Sequence, residues 1–158
     1  MHHFAYSNGS LHAEGVDIRT IAAEVGTPFY CYSSATIERH FEVLTQAFAD
    51  QDHLVCFAVK ANSNQAVLAT LARLGADLDV VSEGELRRAR AAGVPADRII
   101  FAGVGKTRSE MAYALKEGIL GFNIESAPEL DQLSEVASSL GLTASIAICA
   151  AYTSMGGL

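Results

Sequence analysis

Between residues 28 and 148, short apolar runs alternate with segments of helical periodicity, and no other feature of the chain constrains its fold as much. The runs cover residues 29–32, 54–59, 78–81, 99–102, 121–124 and 144–148. Their starts lie roughly 20 to 26 residues apart, which suits one strand plus one crossover helix. The runs are apolar on both sides rather than alternating, as parallel strands covered on both faces should be. The intervening segments predict helices. Ile37, Phe41, Leu44 and Phe48 follow helical spacing and form one buried stripe. Val67, Leu68, Leu71 and Leu74 form the next, with Gly75 as its stop. Ser82 opens a third helix, with Glu83 and Glu85 at its positive end. Ser109, Glu110, Met111 and Leu115 open a fourth, closed by Gly118. Ser126 caps a fifth, with Pro128 in the first turn and Glu129 at the capping-box position.

Six strands and five helices of this kind admit two α/β architectures: a doubly wound open sheet, or part of a (β/α)8 barrel of the TIM type. The first strand–helix turn of a dinucleotide-binding sheet carries Gly-x-Gly-x-x-Gly. Here that turn reads Ser33-Ser34-Ala35, which favours the partial barrel. Residues 1–26 have a different pattern. Phe4, Tyr6 and Leu11 flank Asn8-Gly9-Ser10 and predict a short hairpin. One or two helical turns follow over Ile18–Val25, closed by Gly26. The expected plan is an amino-terminal arm at 1–26, a partial barrel at 27–148 and a distinct tail at 149–158.

Composition removes several function classes. The formal net charge is −7, without the basic stripe of a nucleic-acid binder. Arg87, Arg88 and Arg90 sit among acidic residues on a predicted helix, as on a solvated face. Cys31, Cys56 and Cys149 are odd in number and lack metal-ligand spacing, which fits a reduced cytoplasmic setting. The first residues lack the apolar core of a signal peptide, and no apolar stretch is long enough to span a membrane.

Three residues carry candidate chemistry. Lys60 ends the run Val55-Cys56-Phe57-Ala58-Val59, where a barrel strand delivers residues to the active-site face. A lysine there can condense with a carbonyl compound if its surroundings favour the free amine; equally, it can be a strand-end lysine whose ammonium reaches water. Asp79 lies inside the next strand, among Leu78, Val80 and Val81, and needs a partner there. That partner could be Lys60 across the barrel interior, or the residue could belong to a structural ion pair. Glu85 stands on the first turn of the following helix, either near the same site or as a plain helix-start carboxylate. Gly103-Val104-Gly105-Lys106-Thr107 resembles a phosphate-binding loop only superficially, because a single residue separates its glycines; a tight loop at the barrel mouth is the better reading.

Together these residues resemble a known family. Phe57-Ala58-Val59-Lys60-Ala61-Asn62 resembles the cofactor-lysine motif of fold-type III pyridoxal-phosphate enzymes. Asp79-Val80-Val81-Ser82-Glu83-Gly84-Glu85 resembles the second motif of their decarboxylase branch. Ile99-Ile100-Phe101-Ala102-Gly103-Val104-Gly105-Lys106 and Phe122-Asn123-Ile124-Glu125-Ser126 are similar to the next two strand-end motifs. Within that branch, Phe4-Ala5-Tyr6-Ser7-Asn8-Gly9-Ser10-Leu11 and Gly26-Thr27-Pro28-Phe29-Tyr30 are most similar to bacterial diaminopimelate decarboxylases.

The resemblance implies that Lys60 anchors pyridoxal 5'-phosphate, with Asp79 at the cofactor and Glu85 nearby as a second carboxylate. It implies conversion of meso-diaminopimelate to L-lysine in the cytoplasm by a homodimer of full-length members, with no nucleic acid or membrane as partner. The alternatives are a sister decarboxylase acting on ornithine, arginine or carboxynorspermidine, and a non-catalytic fragment. Family members are well over twice as long, so the expectation is an amino-terminal part, inactive alone, whose strand edges are open to association. Cys149 stands where the family has an arginine, and residues 150–158 depart from it, as after a frameshift or a misplaced gene end.

Overall fold

A computed structural model describes residues 2–149; residues 150–158, most of the expected tail, lie outside the described residues. The chain forms two compact units that divide between His53 and Leu54. Residues 27–53 therefore belong to the same unit as the arm.

In the first unit, β1 (Phe4–Ser7), β2 (Ser10–Ala13) and β3 (Val16–Asp17) form a small antiparallel sheet. Asn8 and Gly9 turn the β1–β2 hairpin with φ of 49° and 74°, the left-handed pair that a two-residue turn requires. The expected first helix is α1 (Ile18–Val25), opened by Asp17, whose carboxylate accepts from the Arg19 N–H at 2.8 Å. The second, α2 (Ser34–Ala47), is capped by Ser33. Two expectations fail in this unit. Residues 29–32 form no strand, because a strand exists only with a ladder partner and none of the described residues pairs with them. The stripe Ile37, Phe41, Leu44 and Phe48 does lie on a helix, but α2 has no buried residue. A sheet of strands two to four residues long offers too little apolar surface to cover a 14-residue helix.

The second unit holds β4 (Cys56–Ala58), β5 (Asp77–Val80), β6 (Ile99–Phe101), β7 (Gly121–Ile124) and β8 (Ile146–Ile148), all parallel and paired strictly in chain order. Between them run α3 (Gln65–Arg73), α4 (Glu83–Ala91), α5 (Arg108–Glu117) and α6 (Ala127–Leu140). A doubly wound sheet reverses its strand order and puts helices on both faces; an arc of a (β/α)8 barrel does neither. The structure is such an arc, with five parallel strands rather than six.

Side chains two residues apart share a sheet face. Leu78, Val80, Ile99, Phe101, Phe122 and Ile124 pack on Leu68, Leu86, Met111, Leu115, Leu133 and Val136 of the helices to form one core. Each such side chain stabilises the fold by about 1.5–3 kcal/mol when fully buried. The same alternation puts Cys56, Ala58, Asp77, Asp79, Ile100 and Asn123 on the other face. The runs were expected to be covered on both faces. Instead, one side meets the helices and the other carries the polar residues of a barrel interior. The expected open edges are β4 and β8, and in β8 both Ile146 and Ile148 are exposed.

Candidate active site

Barrel strands present chemistry at their carboxy-terminal ends, and the candidate residues gather there. Lys60 sits in a single 3-10 turn (Val59–Ala61) that follows β4 directly. Val59 is fully buried and anchors the turn, whereas Lys60 is exposed. Among the described residues, no hydrogen bond or ion pair engages the Lys60 ammonium. Asp79 is in register with Ala58 of β4 on one side and Ile100 of β6 on the other, two residues short of the level of Lys60. Its Oδ1 is buried without a hydrogen-bond partner. Burial pushes the Asp79 carboxyl above its usual range and Glu85 adds to the rise, while Lys60 and Lys106 oppose it. These couplings bring four charged groups into one neighbourhood: Lys60, Asp79, Glu85 and Lys106.

Glu85 has a local task. Its Oε2 accepts from the Val81 N–H at 2.8 Å, while its own N–H donates to Ser82 Oγ at 3.2 Å. A helix-start carboxylate here pins the last residue of the strand–helix junction instead of standing free. The same device recurs one helix on, where Ser126 caps α6 and Glu129 accepts from the Glu125 N–H at 3.2 Å. In both cases the carboxylate reaches the residue before the cap, one position earlier than a capping box requires. Among the described residues, only Thr107 and Glu110 form the full reciprocal box, and Glu110 also accepts from the Glu83 N–H at 3.1 Å.

Lys106 is the residue that sequence reasoning undervalued. It entered as part of a rejected phosphate loop and as the last residue of a strand-end motif. The structure buries its side chain to 1% exposure, where the ammonium donates to Gly103 O and Asn123 O, both at 2.7 Å, and pairs with Glu129. The signal in the sequence was the coincidence of a lysine after one strand and a capping-position glutamate after the next. Their pairing across 23 residues could not be read from either motif alone. A saturated, buried ammonium explains the loop without any nucleotide.

At the far end of the sheet, Asp77 pairs with Arg98 at 2.7 Å, and Arg98 also donates to Gly75 O. Asp77 and Asp79 share a face of one strand, yet only Asp77 has a cation to match it. Cys149 stands where an arginine was expected, and the neighbouring Glu125 carboxylate holds its thiol above the ordinary range. Among the described residues, no group of three metal-ligating side chains occurs, and no helix is long and apolar enough to cross a membrane.

Pyridoxal phosphate presents an aldehyde to an amine and polar ring substituents to the surrounding groups. The residues present fit those two needs: Lys60 offers an unengaged amine, and Asp79 Oδ1 is a buried acceptor lacking a donor. Lys106, the other lysine at this end of the sheet, has no free donor left.

The family described as "Pyridoxal-dependent decarboxylase, pyridoxal binding domain" matches residues 34–152, which reaches into the segment 150–158 that was expected to depart from it. The diaminopimelate decarboxylase of Vibrio cholerae is 50% identical over 149 residues, which cover 94% of this chain and 36% of the relative. That of Pseudomonas aeruginosa is 50% identical over 145 residues, 92% of this chain and 35% of the relative. The chain thus spans about a third of the length of the curated relatives it matches. Among solved structures, diaminopimelate decarboxylase from M. jannaschii in complex with L-lysine superposes with a TM-score of 0.88 at 34% identity, covering 92% of this chain and 35% of that one. An arginine decarboxylase from Paramecium bursaria Chlorella virus reaches a TM-score of 0.66 at 23% identity over 73% of this chain and 30% of that one, a likeness of fold. The chain belongs to the pyridoxal-dependent decarboxylase family, whose pyridoxal-binding domain matches it over residues 34–152.

Proposed function

We propose that this chain is the lysine-bearing part of a diaminopimelate decarboxylase, acting in the cytoplasm on meso-diaminopimelate to yield L-lysine. The observation that carries the reading is an unengaged strand-end amine, Lys60, at the same end of the sheet as Asp79, whose Oδ1 is buried without a donor. Relatives of that name at about half identity support the substrate. The ornithine and arginine alternatives rest on a likeness of fold only.

Pyridoxal phosphate, when bound, supplies an electron sink for the charge left by departing carbon dioxide. The chain's own residues do the rest of what this part contributes. Lys60 is the covalent anchor, its reach set by the buried Val59 beneath it. Asp79 orients the Lys60 amine and offers Oδ1 to a donor on the cofactor. Burial lets Asp79 keep a proton to higher pH than an ordinary carboxylate, so it can hold or release one at Oδ1. Glu85 fixes the Val81 end of β5 and contributes negative charge nearby. The remaining two thirds of a full-length protein complete the barrel, the substrate site and the homodimer. The chain alone makes no lysine.

The test is borohydride reduction in the presence of pyridoxal phosphate, followed by peptide mapping. Lys60 takes the label and Lys60→Ala does not; a label on Lys106 defeats the assignment. Fused to the missing part of a close relative, the chain releases carbon dioxide from meso-diaminopimelate much faster than from ornithine or arginine. A preference for ornithine transfers the reading to the sister enzymes.

A further inference from the structure

Resting on the reading of Lys60 and Asp79 as the reactive pair, we propose that Lys106 is a positioning residue. Its ammonium clasps the β6–α5 loop to the end of β7 and thereby holds in place the end of β5 that carries Asp79. An ammonium has three hydrogens, and here each has an acceptor: Gly103 O, Asn123 O and the Glu129 carboxylate. Lys106 and Glu129 are 1% and 8% exposed, so either charge alone would be strongly unfavourable. The other Glu129 oxygen takes the Glu125 N–H, and Gln132 Nε2 donates to Lys106 O at 3.0 Å. The lysine is therefore fixed from both ends.

The clasp reaches the site through Gly103. This residue has φ of 81°, and a Cβ placed on it would lie 3.1 Å from Val81 Cγ1. Gly103 thus lies flush against Val81, whose N–H is held by Glu85 and which stands two residues beyond Asp79. The path Glu129, Lys106, Gly103, Val81 is a contiguous set of contacts. It connects two strand-end loops to the strand end whose placement keeps Asp79 buried.

Position and electric field make opposite predictions. The charged groups facing Asp79 are Lys60, Glu85 and Lys106, and Lys106 lowers the Asp79 titration point. If Lys106 acts by its charge alone, removing it moves that point up. If it acts by holding the strand end, removing it lets water reach Asp79, and the largest cause of the raised value, burial, is relieved. The point then moves down.

The experiment follows the Asp79 carboxyl by carbon-detected NMR in the 158-residue chain, with Asp79→Asn as the assignment control. The double variant Lys106→Met with Glu129→Leu removes both buried charges and avoids stranding one. Gly103→Ala disturbs the contact with Val81 without changing any charge, and it decides the matter if the double variant does not fold. The expected result is a fall of the Asp79 midpoint toward the ordinary carboxylate range in both variants. Borohydride-trapped attachment of pyridoxal phosphate at Lys60 should slow by roughly tenfold to a hundredfold, as a displacement of about 1 Å can cause. A midpoint that rises or stays in place overturns the proposal and leaves the ion pair a role in stability only. Should Lys60 take no label even when the chain is fused to the missing part of a close relative, the decarboxylase reading fails, while the titration still decides the clasp.

Discussion

Residues 2–53 and residues 54–149 use the same local chemistry and rest on different physics. Both open their helices with hydroxyl, carboxylate or carboxamide caps: Asp17 and Ser33 in the first region; Asn64, Ser82, Thr107 and Ser126 in the second. In the second region these caps only trim an apolar core formed by Leu78, Val80, Phe101 and their neighbours. In the first, α1 and α2 have no buried residue, and long-range polar bonds hold the pieces together. The Glu14 carboxylate accepts from Ser33 Oγ at 2.8 Å and the Ala35 N–H at 3.1 Å, and Ser10 Oγ donates to Asp17 at 2.7 Å. The difference teaches that capping specifies where a helix begins, whereas only an apolar partner makes it costly to remove.

The comparison can be broken most forcefully in the core. Phe101→Ala should destabilise residues 54–149 by about 3–5 kcal/mol, whereas Phe41→Ala on α2 should cost about 1 kcal/mol or less. Denaturant melts read by hydrogen exchange in the two regions check both values. Equal losses would show that α2 is as well supported as the sheet.

Lys106→Met should come next, at about 3–5 kcal/mol, because Glu129 would remain buried without its cation. Adding Glu129→Leu should return the melt to within about 1 kcal/mol of the parent. A double variant no better than the single one would mean that the hydrogen bonds to Gly103 and Asn123 outweigh the ion pair.

Asp79→Asn should act in the opposite direction and by less. The folded Asp79 binds its proton more tightly than the unfolded one, so its ionisation opposes folding as pH rises from the ordinary carboxylate value to the raised one. The variant should therefore melt higher than the parent at neutral pH and lose that advantage below the ordinary carboxylate range. A neutral-pH melt lower than the parent's would mean that Asp79 has a stabilising partner.

The smallest effect belongs to Glu14. Hydrogen bonds from Ala35 and Ser33 hold its carboxyl below the usual range, so the stabilisation is present above the unfolded value and disappears as pH falls through the folded one. Glu14→Gln should speed exchange of the Ala35 amide at neutral pH, and acid should speed it in the parent. Exchange that ignores both changes would remove Glu14 from the list of supports.

Helix positions were legible from the chain because their signals are local: Gly118 ends α5 with φ of 72°, Ser82 and Ser126 cap their helices, and Asn8-Gly9 turns the hairpin. The position of Lys60 at the end of β4 was legible for the same reason, since an apolar run ends where its last residue ends. Residues 29–32 were misread as a strand because an apolar run specifies an extended segment, whereas a strand requires a neighbour that the run does not encode. Asp77 and Asp79 are chemically identical and share a face. Tertiary structure alone gave Asp77 an arginine and left Asp79 Oδ1 without a donor. Likewise Lys60 and Lys106 both follow strands, yet folding leaves one amine unengaged and saturates the other with three acceptors, one from its own loop and two from β7 and α6. The sequence by itself determined which residues reach the end of the sheet, since that follows from strand length and the two-residue alternation. Which of them are matched and which are left to react depends on partners brought together across the barrel, and only the packed structure decides it.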